Sequence, residues 1–309
     1  MSVVRYKNNP ILTAADVPFR VNSIFNAGAF KDHNGYHLLC RVEKPEGHSE
    51  LVLAHSSDGF SFRVEEKPCL TPEMHGDFYR YVEWGVEDPR ITRIADRYYI
   101  LYTGYSRHAP LVMLAETGDF RSFIFHGPIT EPCNKDAALF PEKINGWYWK
   151  IDRPLGREGR GEMWINRSAD LEHWGEYRLL LSGANGTWEE AKIGLSTPPV
   201  RTEAGWLLLY HGVRILGYYP IYRLGVMLLS IHEPWRVLGR SRRPILSPET
   251  EYERIGDVPN VVFSTGWIIE KNGDVKIYYS GADVNICLAE TRVDYLIDLC
   301  LDDPSRPKG

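Results

Sequence analysis

The sequence repeats one short plan five times, a turn followed by a run rich in aromatic and β-branched residues. Asn-Gly before such a run is a strong local signal for a β-hairpin. Successive copies lie about 50 to 70 residues apart, which is typical of repeat architectures. The five turns are Asn34-Gly35, Asp96-Arg97, Asn145-Gly146, Ala204-Gly205 and Asn272-Gly273.

A second repeated element follows most of these runs, and similar versions of it occupy residues 53–60, 114–120, 165–171 and 288–291. Helical periodicity is nearly absent between the copies. Five units of about 60 residues, each with about four short strands, predict an all-β chain that folds as a five-bladed β-propeller. We expect residues 1–309 to form one domain. A β-sandwich or two β domains is the alternative.

Charge and composition exclude several classes of protein. The formal net charge of −5 argues against a non-specific nucleic-acid binder, which would show a basic excess. No apolar run approaches the length of a membrane span, and residues 1–10 do not have the pattern of a signal peptide, so we expect a cytoplasmic protein. Five widely spaced cysteines without a Cys-x-x-Cys pair indicate neither a zinc site nor a disulfide framework.

The 9 Trp, 18 Tyr and 11 Phe suit a protein that binds sugars or other ring-shaped ligands.

Cationic side chains fall at the predicted strand ends of neighbouring units. Lys135, Arg153, Lys192 and His211 would meet at the centre of a propeller, where guanidinium and ammonium groups suit phosphate oxygens. Ordinary surface salt bridges are the alternative.

One carboxylate stands out beside these cations. Asp88 precedes Pro89, which favours an extended conformation for Asp88 and predicts that this carboxylate lies at a strand entry. A turn-forming Asp is the structural alternative. Glycosidases need a general acid and a base that activates water, whereas inorganic phosphate is already an anion and needs cations to hold it. One carboxylic acid and a cationic cradle would therefore suffice for inverting phosphorolysis.

In their order along the chain, several short segments resemble glycoside hydrolase family 130, the β-mannoside phosphorylases and related β-mannosidases. The resemblance spans about residues 9 to 289, and the segments are highly specific for this family when they are taken together. The segments are Phe25-Asn26, Glu87-Asp88-Pro89-Arg90, Asn134-Lys135-Asp136, Leu139-Phe140-Pro141, Arg153-Pro154, Lys192-Ile193-Gly194, Tyr210-His211-Gly212-Val213, Asp257-Val258-Pro259-Asn260 and Tyr279-Ser280-Gly281-Ala282-Asp283.

The resemblance implies a five-bladed propeller that cleaves a β-mannosidic linkage with inorganic phosphate, reversibly, to give α-mannose 1-phosphate. The substrate would be a β-mannosyl disaccharide or β-manno-oligosaccharide, and no metal or organic cofactor would be needed. Asp88 matches the catalytic acid, which acts through a hydroxyl of the mannosyl residue. The resemblance implies that phosphate binds to Lys135, Arg153, Lys192, His211 and Tyr222. It also implies that the mannosyl unit binds to Asn26, Arg41 and Asp283.

The sequence departs from the family pattern at two positions. Many phosphorylases of the family carry Arg where this chain has Lys135, and Ala27 stands where a Ser is frequent. The family's hydrolases lack much of the cationic set, so its presence here favours phosphorolysis. The chain also lacks the long N-terminal extension that some oligomeric members use for contacts, which leaves a homo-oligomer as an open expectation. The linkage and the acceptor sugar stay open as well.

The sequence is also compatible with two alternatives to a phosphorylase. A β-mannosidase on the same scaffold would need a base, for which Glu87, Glu189 and Glu190 are candidates. A non-catalytic carbohydrate-binding propeller would make Asp88 a turn residue and the cations surface charges. Candidates for stacking on sugar rings are Trp84, Tyr105 and Trp188.

Overall fold

A computed structural model describes residues 2–156 and 159–302. The fold is all-β, as predicted, with 21 strands in the described ranges and only short helices. The strands form five antiparallel groups along the chain, and the first two groups are joined through a single parallel bridge between Ser49 and Gly85. None of the helices in the described ranges is both long and apolar enough to cross a membrane.

The five groups follow each other in sequence, except that the first strand of the chain joins the last group. The first group contains β2 (Ser23–Asp32), β3 (Gly35–Glu43), β4 (Ser49–Ser56) and β5 (Arg63–Val64). The second contains β6 (Gly85–Ile94), β7 (Arg97–Tyr105), β8 (Leu111–Thr117) and β9 (Phe123–Pro128). The third contains β10 (Asn134–Leu139), β11 (Tyr148–Pro154), β12 (Met163–Ser168) and β13 (Trp174–Leu181). The fourth contains β14 (Lys192–Leu195), β15 (Val200–Arg201), β16 (Trp206–Leu216), β17 (Tyr219–Leu229) and β18 (Val237–Arg240). The fifth contains β19 (Val262–Ile269), β20 (Asp274–Gly281), β21 (Asn285–Arg292) and β1 (Val4–Arg5).

Four short helical segments lie between or after these groups: 3₁₀ turns at Ala14–Asp16 and Pro72–Tyr81, and helices α1 (Glu251–Arg254) and α2 (Val293–Leu301). Helix α2 packs on β17, β18 and β21.

All five predicted turns occupy the same place in their groups, between the inner strand and the next strand of the hairpin. Asn145 and Gly146 both have positive φ, at 54° and 83°, which is the conformation that Asn and Gly adopt most easily. The local chemistry of these turns was therefore sufficient to place the first hairpin of every group.

The second repeated element ends the third strand of the first three groups. In each copy a hydroxyl accepts a hydrogen bond from the backbone N–H three residues on: Ser56 from Gly59, Thr117 from Phe120 and Ser168 from Leu171. The Asp two residues after the hydroxyl accepts further backbone N–H groups of the turn. The fourth copy differs, because helix α2 follows Arg292 directly.

The first strands of neighbouring groups pack against each other, β2 against β6 and β19, and β10 against β6 and β14. Apolar side chains between the groups form the core, for example Trp149 and Trp206 in one cluster and Leu209 and Val262 in another. Strand β1 pairs with β21, and Arg5 forms an ion pair with the buried Glu253. The ends of the described chain are thereby joined within one group.

Candidate active site

Irregularities in the inner hairpins place the polar residues of the candidate site. The register of β2 with β3 shifts at Asn26, that of β6 with β7 at Asp88, and that of β10 with β11 at Asp136. These three residues have φ values of 45°, 53° and 56°. A bulge with a left-handed residue redirects one side chain out of the ladder. The same local irregularity thus directs one polar side chain from each of three inner strands towards the candidate site.

The conformation of Asp88 differs from the sequence-based expectation. Pro89 favours an extended Asp88, but Asp88 lies within β6 at positive φ. Left-handed backbone is strained for an Asp, by about 1 to 3 kcal/mol, and such strain concentrates at functional sites. The bulge and the hydrogen bonds of the Asp88 carboxylate outweigh the local preference.

A cavity of about 150 Å³ lies where these side chains meet. Eight of the nine predicted site residues line it: Asp88, Lys135, Arg153, His211, Tyr222, Asn26, Arg41 and Asp283. Lys192, the ninth, lies next to the lining and is half-buried, with its charge close to those of Arg153 and Lys135. The rest of the wall is Asp136 and the apolar Val258, Val261 and Phe263.

Asp88 is held by neutral and cationic donors. Its Oδ1 accepts a hydrogen bond from Asn26 Nδ2 at 2.8 Å and from Arg41 Nη1 at 2.9 Å. Burial raises the pKa of this carboxyl, but Arg41, Lys135 and the Asn26 hydrogen bond lower it by more, so the pKa lies below its usual range. Asp88 is therefore ionised at neutral pH in the protein alone.

Asp283 is the second carboxyl at this end of the cavity. Burial and the neighbouring charge of Asp88 raise the pKa of Asp283 to about 7. Two carboxyls in one buried site do not both ionise easily. At neutral pH Asp283 is therefore about half protonated, beside an ionised Asp88.

Asp136 organises the cationic side of the cavity. Its Oδ2 accepts a hydrogen bond from Arg153 Nε at 2.6 Å, and its Oδ1 accepts one from Arg90 Nη2 at 3.2 Å. All three side chains are buried. Burial would raise the pKa of Asp136, but Arg153, His211 and Arg90 hold it far below the usual range. Asp136 is a fixed negative charge that orients Arg153.

His211 contributes a neutral imidazole and not a cation. Burial lowers the pKa of His211 to about 3, with Arg153 and Arg90 adding to the effect against the attraction of Asp136. The ring lies against Gly194, where an added Cβ would come within 2.6 Å of His211 Cε1. The sequence-based idea of four converging cations is therefore corrected to three cations with one neutral imidazole.

Arg153 has an unused donor. Its Nη1 is buried and has no hydrogen-bond partner in the described protein. Buried donors are rarely left unpaired, because desolvation without a partner costs about 1 to 3 kcal/mol. Lys192 lies nearby, and burial together with Arg153 and Lys135 lowers its pKa. An anion between these groups would satisfy the donor and relieve the repulsion.

Tyr222 completes this wall. Its ring stacks near His211, with 6.1 Å between the centroids. Burial raises the pKa of Tyr222 to about 12, so its hydroxyl stays protonated and can donate a hydrogen bond.

Two residues of the site were missed by sequence reasoning in spite of lying in the quoted segments. Asp136 directly follows Lys135, and Arg90 lies two residues after Asp88, but neither was given a role. Their common signal was a charged residue that shares a strand with a candidate site residue, and a charged residue is rarely buried unless it is paired.

None of the three glutamate candidates for a base is among the described residues that line the cavity. Glu189 is buried against Tyr210 and Arg240, and it contacts the face of β16 that carries Gly212. His211 lies on the opposite face of that strand, because side chains alternate. Glu190 pairs with Arg214. Glu87 is closer to the cavity, but its carboxylate is paired with Arg41 at 2.9 Å.

The three aromatic candidates for sugar stacking also lie outside the cavity lining. Trp84 and Tyr105 form an edge-to-face pair, with 5.5 Å between the ring centroids, and are about 40% exposed. Trp188 packs against Tyr210. Among the described residues, no group of three or more His, Cys, Asp or Glu side chains is arranged to hold a metal ion.

Comparison with known proteins identifies the family. A family profile described as beta-1,4-mannooligosaccharide phosphorylase matches residues 2–302. The chain belongs to glycoside hydrolase family 130. This confirms the resemblance found in the sequence, and it makes the chain an enzyme of the glycoside phosphorylase class and not a non-catalytic binding protein.

Relatives in family 130 match over nearly the whole chain. The beta-1,2-mannobiose phosphorylase of Thermoanaerobacter sp. (strain X514) is 38% identical over 93% of this chain and 96% of its own. The beta-1,4-mannooligosaccharide phosphorylase of Ruminococcus albus is 33% identical over 95% of this chain and 89% of its own. The solved beta-1,2-mannobiose phosphorylase of Listeria innocua, in complex with beta-1,2-mannobiose, is 30% identical with a TM-score of 0.88, covering 97% of this chain and 99% of that one.

Proposed function

We propose that the protein is an inverting phosphorylase that cleaves a β-mannosidic linkage with inorganic phosphate and releases α-mannose 1-phosphate. Phosphate attacks C1 of the mannosyl unit on the face opposite the leaving sugar, so one displacement turns the β linkage into an α phosphate ester. The C1–O bond to the leaving sugar breaks, and its oxygen takes up one proton. The same steps in reverse extend an acceptor sugar.

The observation that carries this proposal is the cationic wall around Arg153. Its unpaired Nη1, with Lys135 and Lys192 beside it, offers an anion the charge-assisted hydrogen bonds that phosphate oxygens accept. Tyr222 donates its hydroxyl and His211 an N–H, because both groups are neutral at pH 7. Asp136 holds Arg153 in place and keeps that side of the site from being purely cationic.

Asn26, Arg41 and Asp283 are proposed to hold the mannosyl unit, and Asp88 to supply the proton through a hydroxyl of that unit. In the protein alone, Asp88 is ionised because the neighbouring cations lower its pKa. A bound phosphate anion offsets those cations and raises the pKa of Asp88. Phosphate binding therefore favours the protonated form of Asp88, which is the form that can act as an acid. The raised pKa of Asp283 keeps a proton available beside Asp88.

Phosphorolysis is preferred over hydrolysis because a water-activating base is missing from the described lining of the cavity. Its carboxyls are Asp88, Asp136 and Asp283. Asp136 is held by Arg90 and Arg153. Asp88 and Asp283 lie together at the end of the cavity that is proposed to supply the proton. A phosphate nucleophile needs no such base, since it is already an anion at neutral pH.

We further propose that the five strand groups are the blades of one β-propeller domain over residues 1–309, with the cavity at its centre. The location of polar bulges on the inner strands of three groups supports this arrangement. The proposed reaction uses phosphate as co-substrate with no other cofactor, in the cytoplasm, without a nucleic-acid or membrane partner. A homo-oligomeric state stays a prediction.

Product analysis tests the proposal directly. The protein is incubated with β-1,2- or β-1,4-mannobiose, with and without phosphate. Phosphate-dependent mannose 1-phosphate is the expected product. Free mannose at equal rates in both reactions would establish a mannosidase. If neither disaccharide gave a product, both activities would be excluded for these substrates.

A further inference from the structure

Asn26, the bulged residue of β2, is held through both of its donor groups. Strand β2 pairs with β3 at Phe25 and at Ala27, and the register shifts between them, so the bulge leaves Asn26 outside that ladder. The side-chain Nδ2 of Asn26 donates to Asp88 Oδ1 at 2.8 Å, and its backbone N–H donates to Ser280 Oγ at 2.5 Å. The second bond crosses from the first strand group to the fifth.

Ser280 lies in a closely packed part of the fifth group. It is fully buried on β20 and pairs with Phe263 of β19, which lines the cavity. Strand β19 approaches the backbone of β2 so closely that a Cβ added at Gly266 would lie 2.5 Å from the carbonyl oxygen of Ala27. Backbones packed at this distance have little room to shift. The Ser280 hydroxyl therefore meets Asn26 from a fixed position.

The bulge at Asn26 needs an acceptor for this N–H. Buried backbone N–H groups are nearly always paired, and the ladder with β3 no longer supplies a partner at Asn26. The φ of Asn26 is 45°, in the left-handed region that is sparsely populated by residues other than glycine. Ser280 supplies the missing acceptor, and its hydroxyl thereby stabilises the left-handed conformation.

The bulge also decides what the Asn26 amide can contact. Nδ2 is used by Asp88, whereas Oδ1 is buried and has no hydrogen-bond partner in the described protein. Asn26 lines the cavity, so this free acceptor can take a hydrogen bond from a sugar hydroxyl. A change of one residue in register turns a side chain to the other face of its sheet. Loss of the bulge would therefore remove the amide from Asp88 and from the sugar together.

We propose that Ser280 is a positioning residue for the reaction, which fixes the Asn26 amide against Asp88 and the mannosyl unit by accepting the Asn26 N–H. This inference rests on the proposed function, in which Asn26 holds the mannosyl unit. Ser280 itself is not among the described residues that line the cavity. Its influence should be confined to the mannosyl end and should not reach the phosphate wall around Arg153.

The test compares Ser280→Ala with Ser241→Ala. Ser241 is a matched control, because its Oγ also accepts a buried backbone N–H, from Val226 at 3.1 Å, and it is not among the described cavity-lining residues. Both variants lose one acceptor, so both should melt about 2 to 5 °C below the parent. Kinetic constants are then measured on whichever of β-1,2- and β-1,4-mannobiose the parent cleaves.

The two variants should differ in these constants. We expect Ser280→Ala to lower kcat/KM for the disaccharide by about ten- to a hundredfold, since a small misplacement of a positioned group has an effect of this size. Its KM for phosphate should stay within about twofold of the parent. Ser241→Ala should stay within about twofold in every constant. Parent-like kinetics in Ser280→Ala, or an equal rise in its KM for phosphate, would overturn the proposal.

A double-mutant cycle with Asn26→Ala shows whether Ser280 acts through Asn26. If it does, adding Ser280→Ala to Asn26→Ala should lower kcat/KM by less than about threefold, because the group that Ser280 positions is already gone. Losses that multiply in the double variant would mean that Ser280 acts by another route, and the proposal would be wrong.

Calorimetric binding of the mannobioses without phosphate separates this inference from the proposed function. If the parent makes no mannose 1-phosphate, but Ser280→Ala binds the disaccharide at least about fivefold more weakly than the parent and Ser241→Ala do, the proposed function fails and the positioning role of Ser280 stands. Equal binding by all three proteins would overturn the positioning role, whichever reaction the parent catalyses.

Discussion

Replacing Asp88 with Asn tests the proton donor at the centre of the proposed reaction. The amide has nearly the same shape and can still accept from Asn26 and Arg41, which lie 2.8 and 2.9 Å from Asp88 Oδ1. It cannot deliver a proton. We therefore expect the rate on β-mannobiose to fall by at least about 100-fold, the usual contribution of a general acid.

Folding should survive the same substitution. Arg41 keeps a second carboxylate, because its Nη2 contacts Glu87 Oε1 at 2.9 Å. The loss is then one charge-assisted hydrogen bond and not an isolated buried cation, and we expect unfolding to become easier by about 1 to 3 kcal/mol. Thermal denaturation of Asp88→Asn beside the parent measures this directly.

A leaving group that needs no proton separates acid catalysis from a structural role. Dinitrophenyl β-mannoside releases a stable phenolate, so Asp88→Asn should recover to within about tenfold of the parent on it, with phosphate present. The assay is initial rates of mannose 1-phosphate formation from both substrates. Activity within a few-fold of the parent on mannobiose would refute the role of Asp88, and an equal loss on both substrates would show that the substitution disturbs the site as a whole.

Further predictions concern the anion site, the second carboxyl and the glutamates. Arg153→Ala should raise the KM for phosphate by about ten- to a hundredfold, the loss of a hydrogen bond to a charged group, and should raise that for the mannoside much less; a phosphate- or sulfate-soaked crystal with the anion away from Arg153 would contradict it. Asp283 has a folded pKa near 7, so the folded protein holds a proton there that the unfolded chain releases at about pH 4. This group therefore contributes stability that is present below pH 4 and lost as the pH rises to 7, and Asp283→Asn should flatten the melting temperature over that window; an unchanged slope would argue against a buried proton. Gln at Glu87, Glu189 or Glu190 should leave substantial phosphorolysis at saturating phosphate, whereas one inactive variant, with free mannose released by the parent without phosphate, would favour a mannosidase.

The hairpins could be predicted from sequence because their determinants are local. Asn145 and Gly146 adopt positive φ, which Asn and Gly do more readily than other residues. The same holds for the turns after the third strands, where a hydroxyl such as that of Ser56 bonds to the backbone three residues on. Both signals can be read from a few neighbouring residues in the sequence.

The candidate site could be predicted only in part, for the opposite reason. Charged residues in rare combinations, together with a family resemblance, indicated eight residues that do line one cavity. The left-handed conformation of Asp88 went against the local preference before Pro89, because a bulge is fixed by the register of two strands. The neutrality of His211 could not be predicted either, since it depends on burial and on Arg153 and Arg90 from other groups.

The pairing of β1 with β21 also constrains the order of assembly during synthesis on the ribosome. Val4 pairs with Glu290, so the fifth group lacks its outer strand until almost the whole described chain has emerged. Asn26 is tied to the same group, because its N–H donates to Ser280 Oγ at 2.5 Å. Contacts between residues so far apart in sequence form slowly. The end of the cavity where Asn26 and Asp283 lie beside Asp88 is therefore the part that a nascent chain acquires last.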